Sequence, residues 1–373
     1  MANLLSADAL SRSLSLPDLT DPANGPHALQ LLLQNIRRAL ASQWRCQQQI
    51  VRTSPVVSVE NNYDRLGYPP GGAAREARYT RYVTPRYILR TQTSAAIPDL
   101  LAGLNIDPPQ DLLLLLPGLV YRRDSIDRLH CGEPHQLDLW RVVSNATGQT
   151  MALSDLMEMI SIIMQVALPG MRWRTVESPH PYTEQGVQID ALWHDQWVEV
   201  GECGLASTQV LRQAGLSDHS GLAMGLGLDR LLMLRKNIPD IRLLRSQDPR
   251  VLKQMNDLEP YVPVSSMPAV QRDLSICVAS EMDEETLGDR VRGQQQCAEY
   301  IEEISVKAET PYADLPASAR RRMGMKPQQK NVLLRVTLRH MDRTLTDQQA
   351  NEIRNDIYRL LHQGDRHELA HNG

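Results

Sequence analysis

Phenylalanine is missing from all 373 residues, and aromatic side chains make up 4% of the chain against a hydrophobic fraction of 42%. The interior must therefore be filled by Leu, Ile, Val and Met with part of the 11 Tyr and 5 Trp, and fewer ring–ring contacts are available than usual. Long apolar runs are missing too. The longest, Leu112 to Pro117, falls far short of the ~20 residues a bilayer-spanning helix needs. The five cysteines, at 46, 131, 203, 277 and 297, are odd in number and form no Cys-x-x-Cys pair. That argues against a disulfide framework and a cysteine-rich zinc site, and they read as free thiols. There is no fixed-period repeat or low-complexity tract, so solenoid and fibrous architectures drop out. The first residues, MANLLSADALSRSLSLPDLTD, have neither a basic start with an unbroken apolar core nor the acid-poor character of a transit peptide, and the expectation is a cytoplasmic protein.

What is present is balanced. Forty Lys+Arg against 44 Asp+Glu give a formal charge of −4, and the length suits about two domains. Apolar spacing predicts an amphipathic helix over 27–50, two antiparallel strands joined by a long loop within 112–143, and a buried helix over 151–167. A strand pair turning at His194-Asp195 is expected over 186–206, followed by a Gly-punctuated strand entering a helix over 221–234. Three prolines in 256–268 mark a boundary, giving domains 1–258 and 259–373. The second reads β-α-β-β-α, with strands at 273–279, 300–309 and 331–340, helices at 283–296 and 346–363, and a short final strand: the split β-α-β pattern of a ferredoxin-like domain.

Several motifs are weighed against plainer readings. Gly225-Leu226-Gly227-Leu228-Asp229-Arg230 begins like a dinucleotide fingerprint but has Arg for the third Gly and no β-α-β unit around it, so a strand-to-helix turn is the commoner meaning. His367-Glu368-Leu369-Ala370-His371 matches a zinc-protease pattern, yet lies in the last residues, where chains fray. His130 and His135 have no third metal partner nearby. Arg320-Arg321-Arg322, placed in a loop, reads as solvated surface before it reads as a phosphate contact. The run Arg122-Arg123-Asp124, His130 and His135-Gln136-Leu137-Asp138 gathers a cation, carboxylates and neutral hydrogen-bonding groups. With Arg230 it offers what in-line attack on an α-phosphate requires.

These residues, taken in order, resemble the phenylalanyl-tRNA synthetases in their single-chain, organellar-like form. The likeness includes Asn61-Asn62-Tyr63-Asp64, Leu89 to Ser94, Val120 to Asp124, His135 to Asp138, Tyr182-Thr183-Glu184, Trp197-Val198-Glu199, Gly225 to Arg230, Met267 to Leu274 and Arg343 to Asp347. The resemblance implies an α+β fold: a class II catalytic core with an antiparallel six-stranded sheet flanked by helices, fused to a ferredoxin-like anticodon-binding domain. It implies ATP, Mg²⁺, phenylalanine or a close analogue, and tRNA(Phe) as ligands, in a monomer without membrane association. By the same resemblance Arg122 and Arg230 are catalytic. Arg122, Asp124, His130, Pro134, Glu199 and Arg230 bind ATP, Glu199 also meeting Mg²⁺, while Gln92, Thr93, Ser94, Gln136, Asp138, His180, Tyr182 and Met224 hold the amino acid.

The chain also departs from the family pattern. Gln92 stands where His is usual, Ile97 where Gln is, Asp124 and Asp138 where Glu is, and Gly72-Ala73 where His-Pro is. The Phe-Pro-Phe wall becomes His180-Pro181-Tyr182, Pro134 replaces the Phe that stacks on adenine, and Met224, Tyr63, Leu244, Val251 and Met255 occupy other Phe positions. A sequence free of Phe suits a back-up or self-resistance synthetase made when phenylalanyl-tRNA is scarce. The alternatives are an adenylating paralogue that uses another amino acid or a non-tRNA acceptor, and a non-catalytic regulator.

Overall fold

Five consecutive leucines, Leu112 to Leu116, are too few for a membrane helix and suit a strand covered on both faces. In the computed structural model they form the middle of β4. The structure describes residues 4–367 except 77–78, 124–125, 265–266, 294–297, 299 and 341–342. The chain divides into two compact units, Met1–Arg122 with Glu133–Tyr261, and Arg123–Gly132 with Val262–Gly373.

The first unit contains β1 (Gln47–Ile50), the short ribbon β2 (Val56–Ser58) and β3 (Tyr87–Leu89), then β4 (Asp111–Leu119) and β5 (His135–Ser144). They are followed by β6 (Trp173–Glu177), β7 (Thr183–Trp193), β8 (Gln196–Ala206) and β9 (His219–Gly227). The large sheet runs β1-β4-β5-β9-β8-β7-β6. The six strands from β4 to β6 pair antiparallel throughout, and β1 adds a parallel seventh at the edge, Gln47 opposite Leu112. This edge strand corrects the helix expected over 27–50. The helix is Ala28–Trp44 and ends where Arg45 turns left-handed at φ 51°, releasing Gln47–Ile50 to the sheet. Helical spacing carries no information about a distant strand that supplies pairing partners.

The expected reversal at His194-Asp195 is a two-residue hairpin with both residues left-handed, at φ 44° and 62°, as a tight turn between twisted strands needs. Helix Ala28–Trp44 buries Leu29, Leu32, Leu33, Ile36 and Leu40 and packs on helix Leu153–Ala167. With no Phe available, Trp140 and Tyr63 are the bulkiest fully buried side chains. No helix among the described residues is long and apolar enough to cross a membrane.

The second unit carries β10 (Val270–Ala279), β11 (Ile301–Pro311) and β12 (Gln329–Leu338) in the antiparallel order β10-β12-β11, with helices Glu284–Arg292 and Asp347–Leu361. Residues 364–367 form no strand, and 368–373, including most of the zinc-like motif, lie outside the described residues. Arg320 to Arg322 sit on a helix, Ala317–Met323, rather than in the expected loop. Pro316 precedes that helix, and Gly324 closes it in the left-handed conformation at φ 60°.

On β8, a Cβ added at Gly201 would lie 2.6 Å from the Gly225 carbonyl oxygen and 2.8 Å from Leu226 Cδ2 of β9. Gly201→Ala is expected to lower unfolding stability by about 1–3 kcal/mol, read from urea denaturation midpoints.

Candidate active site

Register decides which side chains meet. Gln136 and Asp138 on β5 face Gly227 and Gly225 on β9, and Gly225 pairs in turn with Glu202 on β8. Paired residues share a face, so Gln136, Asp138, Trp140 and Glu202 project from one side of the sheet. The glycines between them leave that side open: a Cβ at Gly225 would touch only Asp138 Oδ1, at 3.7 Å. Glu199 joins by an irregularity. Asp190 pairs with Glu199 and Ile189 with Gly201, making Val200 an extra residue. This bulge puts Glu199 and Glu202, three apart, opposite Asp190 and Gln188 on the same face.

Two cations come to this face from distant parts of the chain. β9 runs directly into helix Leu228–Lys236, whose first turn carries Arg230; Arg230 Nη1 donates to the Glu199 carbonyl at 3.0 Å. Arg122 follows β4, and its Nε donates to the Thr91 carbonyl at 2.8 Å. The Arg122 carbonyl accepts from Arg81, which is paired with Glu133. Both guanidinium groups act on the Glu199 carboxyl. Burial raises its pKa above the ordinary range, Arg230 pulls it back, Glu202 raises it and Arg122 lowers it. Both arginines thus lower the Glu199 carboxyl, and Arg230 also bonds its backbone carbonyl.

The expected amino-acid residues form a polar and aromatic group beside these cations. Asp138 is 1% exposed and accepts from Trp140 Nε1 at 3.0 Å, while its Oδ1 has no hydrogen-bond partner among the described residues. Burial pushes its carboxyl up to about 7, against the lowering influence of the Ser94 hydroxyl and Trp140. Thr93 is buried with its hydroxyl unpartnered. Gln92 donates to the Asn62 carbonyl at 3.0 Å and accepts from Tyr68 at 3.0 Å. The Tyr68 ring meets His180 edge-on, and the His180 and Tyr182 centroids are 4.3 Å apart. His180 Nε2 lies 3.2 Å from Glu202, whose carboxyl also accepts from Ser178. The hydrogen bond from His180 outweighs burial and holds Glu202 below the usual carboxylate range. Burial raises the Tyr182 phenol well above its ordinary value, so it stays protonated.

Not every expected residue joins. Met224 pairs with Leu139 and Cys203, one step out of phase with Asp138, and is fully buried on the opposite face; the expectation that it lines the amino-acid site is corrected. His130 belongs to the second unit, where it bonds Asp127 at 2.6 Å. Asp124 lies outside the described residues. Pro134 is half-buried just before β5, its carbonyl accepting from Val120. Sequence reasoning missed Tyr68, Trp140 and Glu202. Alternation along β5 could have paired Trp140 with Asp138, but nothing local reveals the bulge that turns Glu202 inward.

Comparison with known proteins identifies the family. The family described as tRNA synthetases class II core domain (F) matches residues 14–255, and the ferredoxin-fold anticodon binding domain matches residues 265–367. The mitochondrial phenylalanine--tRNA ligase of Mus musculus is 30% identical over 339 residues, spanning 80% of this chain and 70% of its own. The chloroplastic/mitochondrial phenylalanine--tRNA ligase of Arabidopsis thaliana is 28% identical over 314 residues, spanning 82% and 68%. A phenylalanine--tRNA ligase alpha subunit from Leuconostoc citreum is 30% identical over 257 residues, spanning 65% and 72%.

Asp138 also makes a measurable prediction. A carboxyl held at about 7 in the fold binds a proton that the unfolded chain releases near 4, so its contribution is full below pH 4 and lost as pH rises through 7. Between pH 5 and 8 the ligand-free protein should lose roughly 2–3 kcal/mol relative to Asp138→Asn, measured by denaturation of both at each pH.

Proposed function

The chain belongs to the class II aminoacyl-tRNA synthetases, within the phenylalanine--tRNA ligase family, and from that membership we propose that it activates phenylalanine or a close analogue with ATP and transfers it to tRNA(Phe). The observation that carries this reading is Arg230 bonded to the Glu199 carbonyl on the sheet face that also presents the buried Asp138, whose Oδ1 has no hydrogen-bond partner among the described residues.

In the proposed reaction a carboxylate oxygen of the amino acid attacks the α-phosphorus of ATP, and the bond from that phosphorus to the pyrophosphate oxygen breaks. Arg122 stabilises the charge that grows on the α-phosphoryl oxygens, and Arg230 holds the departing phosphates. Pro134 lies beneath the adenine. Asp138 receives the amino acid's ammonium, helped by Gln136, Ser94 and Thr93, while Gln92, His180 and Tyr182 contact the side chain. A terminal ribose hydroxyl of the tRNA then attacks the adenylate carbonyl and AMP leaves.

Mg²⁺ suits the donors present, because it is commonly held by one or two carboxylates together with substrate phosphates, and Glu199 and Glu202 share a face. When bound, it neutralises phosphate charge and eases departure of pyrophosphate. The lack of Phe suits a back-up enzyme translated when phenylalanyl-tRNA is scarce, and a monomeric, cytoplasmic form is part of the same proposal. A second reading, activation of a different amino acid, is favoured by the polar Gln92–Tyr68–His180–Glu202 chain.

Amino-acid-dependent exchange of pyrophosphate into ATP tests the proposal. Phenylalanine should support exchange; exchange with another amino acid alone favours the second reading, and none with any amino acid rejects both. Arg122→Ala should reduce kcat/KM by about 10²–10³-fold. Because Asp138 must ionise to meet an ammonium, the amino-acid KM should fall as pH rises from 6 to 8, and Asp138→Asn should flatten that profile.

A further inference from the structure

Behind the face that carries Gln136 and Asp138 lies a contact the proposed reaction does not use. His135, one step out of phase with Gln136, points to the other side of the sheet and is fully buried. Its backbone N–H donates to Asp229 Oδ2 at 3.1 Å, and its ring Nδ1 lies 2.7 Å from Asp229 Oδ1. The other ring nitrogen, Nε2, accepts from the Leu19 N–H at 3.0 Å and lies 3.3 Å from Arg245 Nη2. Two donors at Nε2 place the imidazole proton on Nδ1, so both oxygens of Asp229 receive hydrogen bonds from one residue. Asp229 is 3% exposed. Burial works against its ionisation, but His135 and Arg245 outweigh that and keep it below the ordinary range.

Asp229 immediately precedes Arg230 in the first turn of helix Leu228–Lys236. An acid there could favour the helix from the surface; burying it gains no more from the dipole and costs desolvation. What burial adds is direction. With Asp229 held at two points on β5, the next side chain leaves the helix about 100° further round, where Arg230 reaches the Glu199 carbonyl. We propose that His135 and Asp229 are positioning residues, clamping the start of β5 to this helix so that Arg230 is aimed before ATP arrives. The inference rests on the synthetase reading above.

Isothermal titration of ATP in the presence of Mg²⁺ into the full chain tests it as a double-mutant cycle. Asp229→Asn leaves one acceptor for the two His135 donors and turns an NH₂ toward the other, and should weaken ATP about tenfold. In an Arg230→Ala background the same change should cost less than twofold, because its target is gone. In pyrophosphate exchange, Asp229→Asn should raise the KM for ATP while the amino-acid KM stays within twofold. Should Asp229→Asn fail to fold, Leu19→Pro, which removes one donor from His135, should weaken ATP about threefold, again only when Arg230 is present. Equal losses in both backgrounds, or no loss, would overturn the positioning role and leave the enzyme reading intact. A chain that binds no ATP at all would sink both.

Discussion

The antiparallel pairing of β5 with β9 is the constraint on which the candidate site depends. It sets Gln136 opposite Gly227 and Asp138 opposite Gly225, and it delivers the end of β9 to the helix that carries Arg230. A slip of one residue along either strand would send Asp138 to the reverse face and bring His135 forward. The glycines matter for the same reason. Side chains at 225 or 227 would stand where a ligand must approach Asp138, whereas backbone alone leaves that space open. β8 completes the arrangement only through its bulge, because regular alternation would put Glu199 and Glu202 on opposite sides.

Three of the positions read as departures from the family pattern lie together. Gln92, His180 and Tyr182 are joined through Tyr68, by hydrogen bonds on one side and ring contacts on the other, and Glu202 closes the chain at His180. A wall of hydrocarbon rings needs no partners; an imidazole in the same place needs a satisfied N–H, and Glu202 supplies the acceptor. Replacing Phe here therefore required a set of compatible residues. Elsewhere the exchange was simpler. Leu244, Val251 and Met255 are all buried, as apolar substitutes that keep the interior filled without polar cost.

Much of this was legible in the sequence because it is local. The hairpin at His194-Asp195, the leucine strand, the Gly-x-Gly entry to a helix and the α+β order of the second unit each follow from residues that are near neighbours. What could not be read depends on pairing across the chain. Gln47–Ile50 looks helical until β4 offers an edge, and Met224 looks like a site residue until register puts it behind the sheet. That Arg122 and Arg230 serve one site rests on resemblance, since 108 positions of chain separate the two residues and no spacing rule connects them.

Four of the acidic residues on or behind this sheet divide by where their counter-charge resides. Glu202 and Asp229 are held below their ordinary range because His180 and His135, respectively, already donate to them. Glu199 and Asp138 are both raised, chiefly by burial, and among the described residues Asp138 has no cation acting on it and no partner for Oδ1. A buried acid with a partner is a structural joint. One that lacks a partner is costly to keep unless something from outside repays the desolvation. In this site the raised pair lies on the open face, Asp138 beside the gap at Gly225 and Glu199 between two arginines, while Asp229 is sealed behind it. The same sheet thus uses identical chemistry in two ways: acids satisfied from within fix geometry, and Asp138, left wanting a cation, marks the side from which ligand must come.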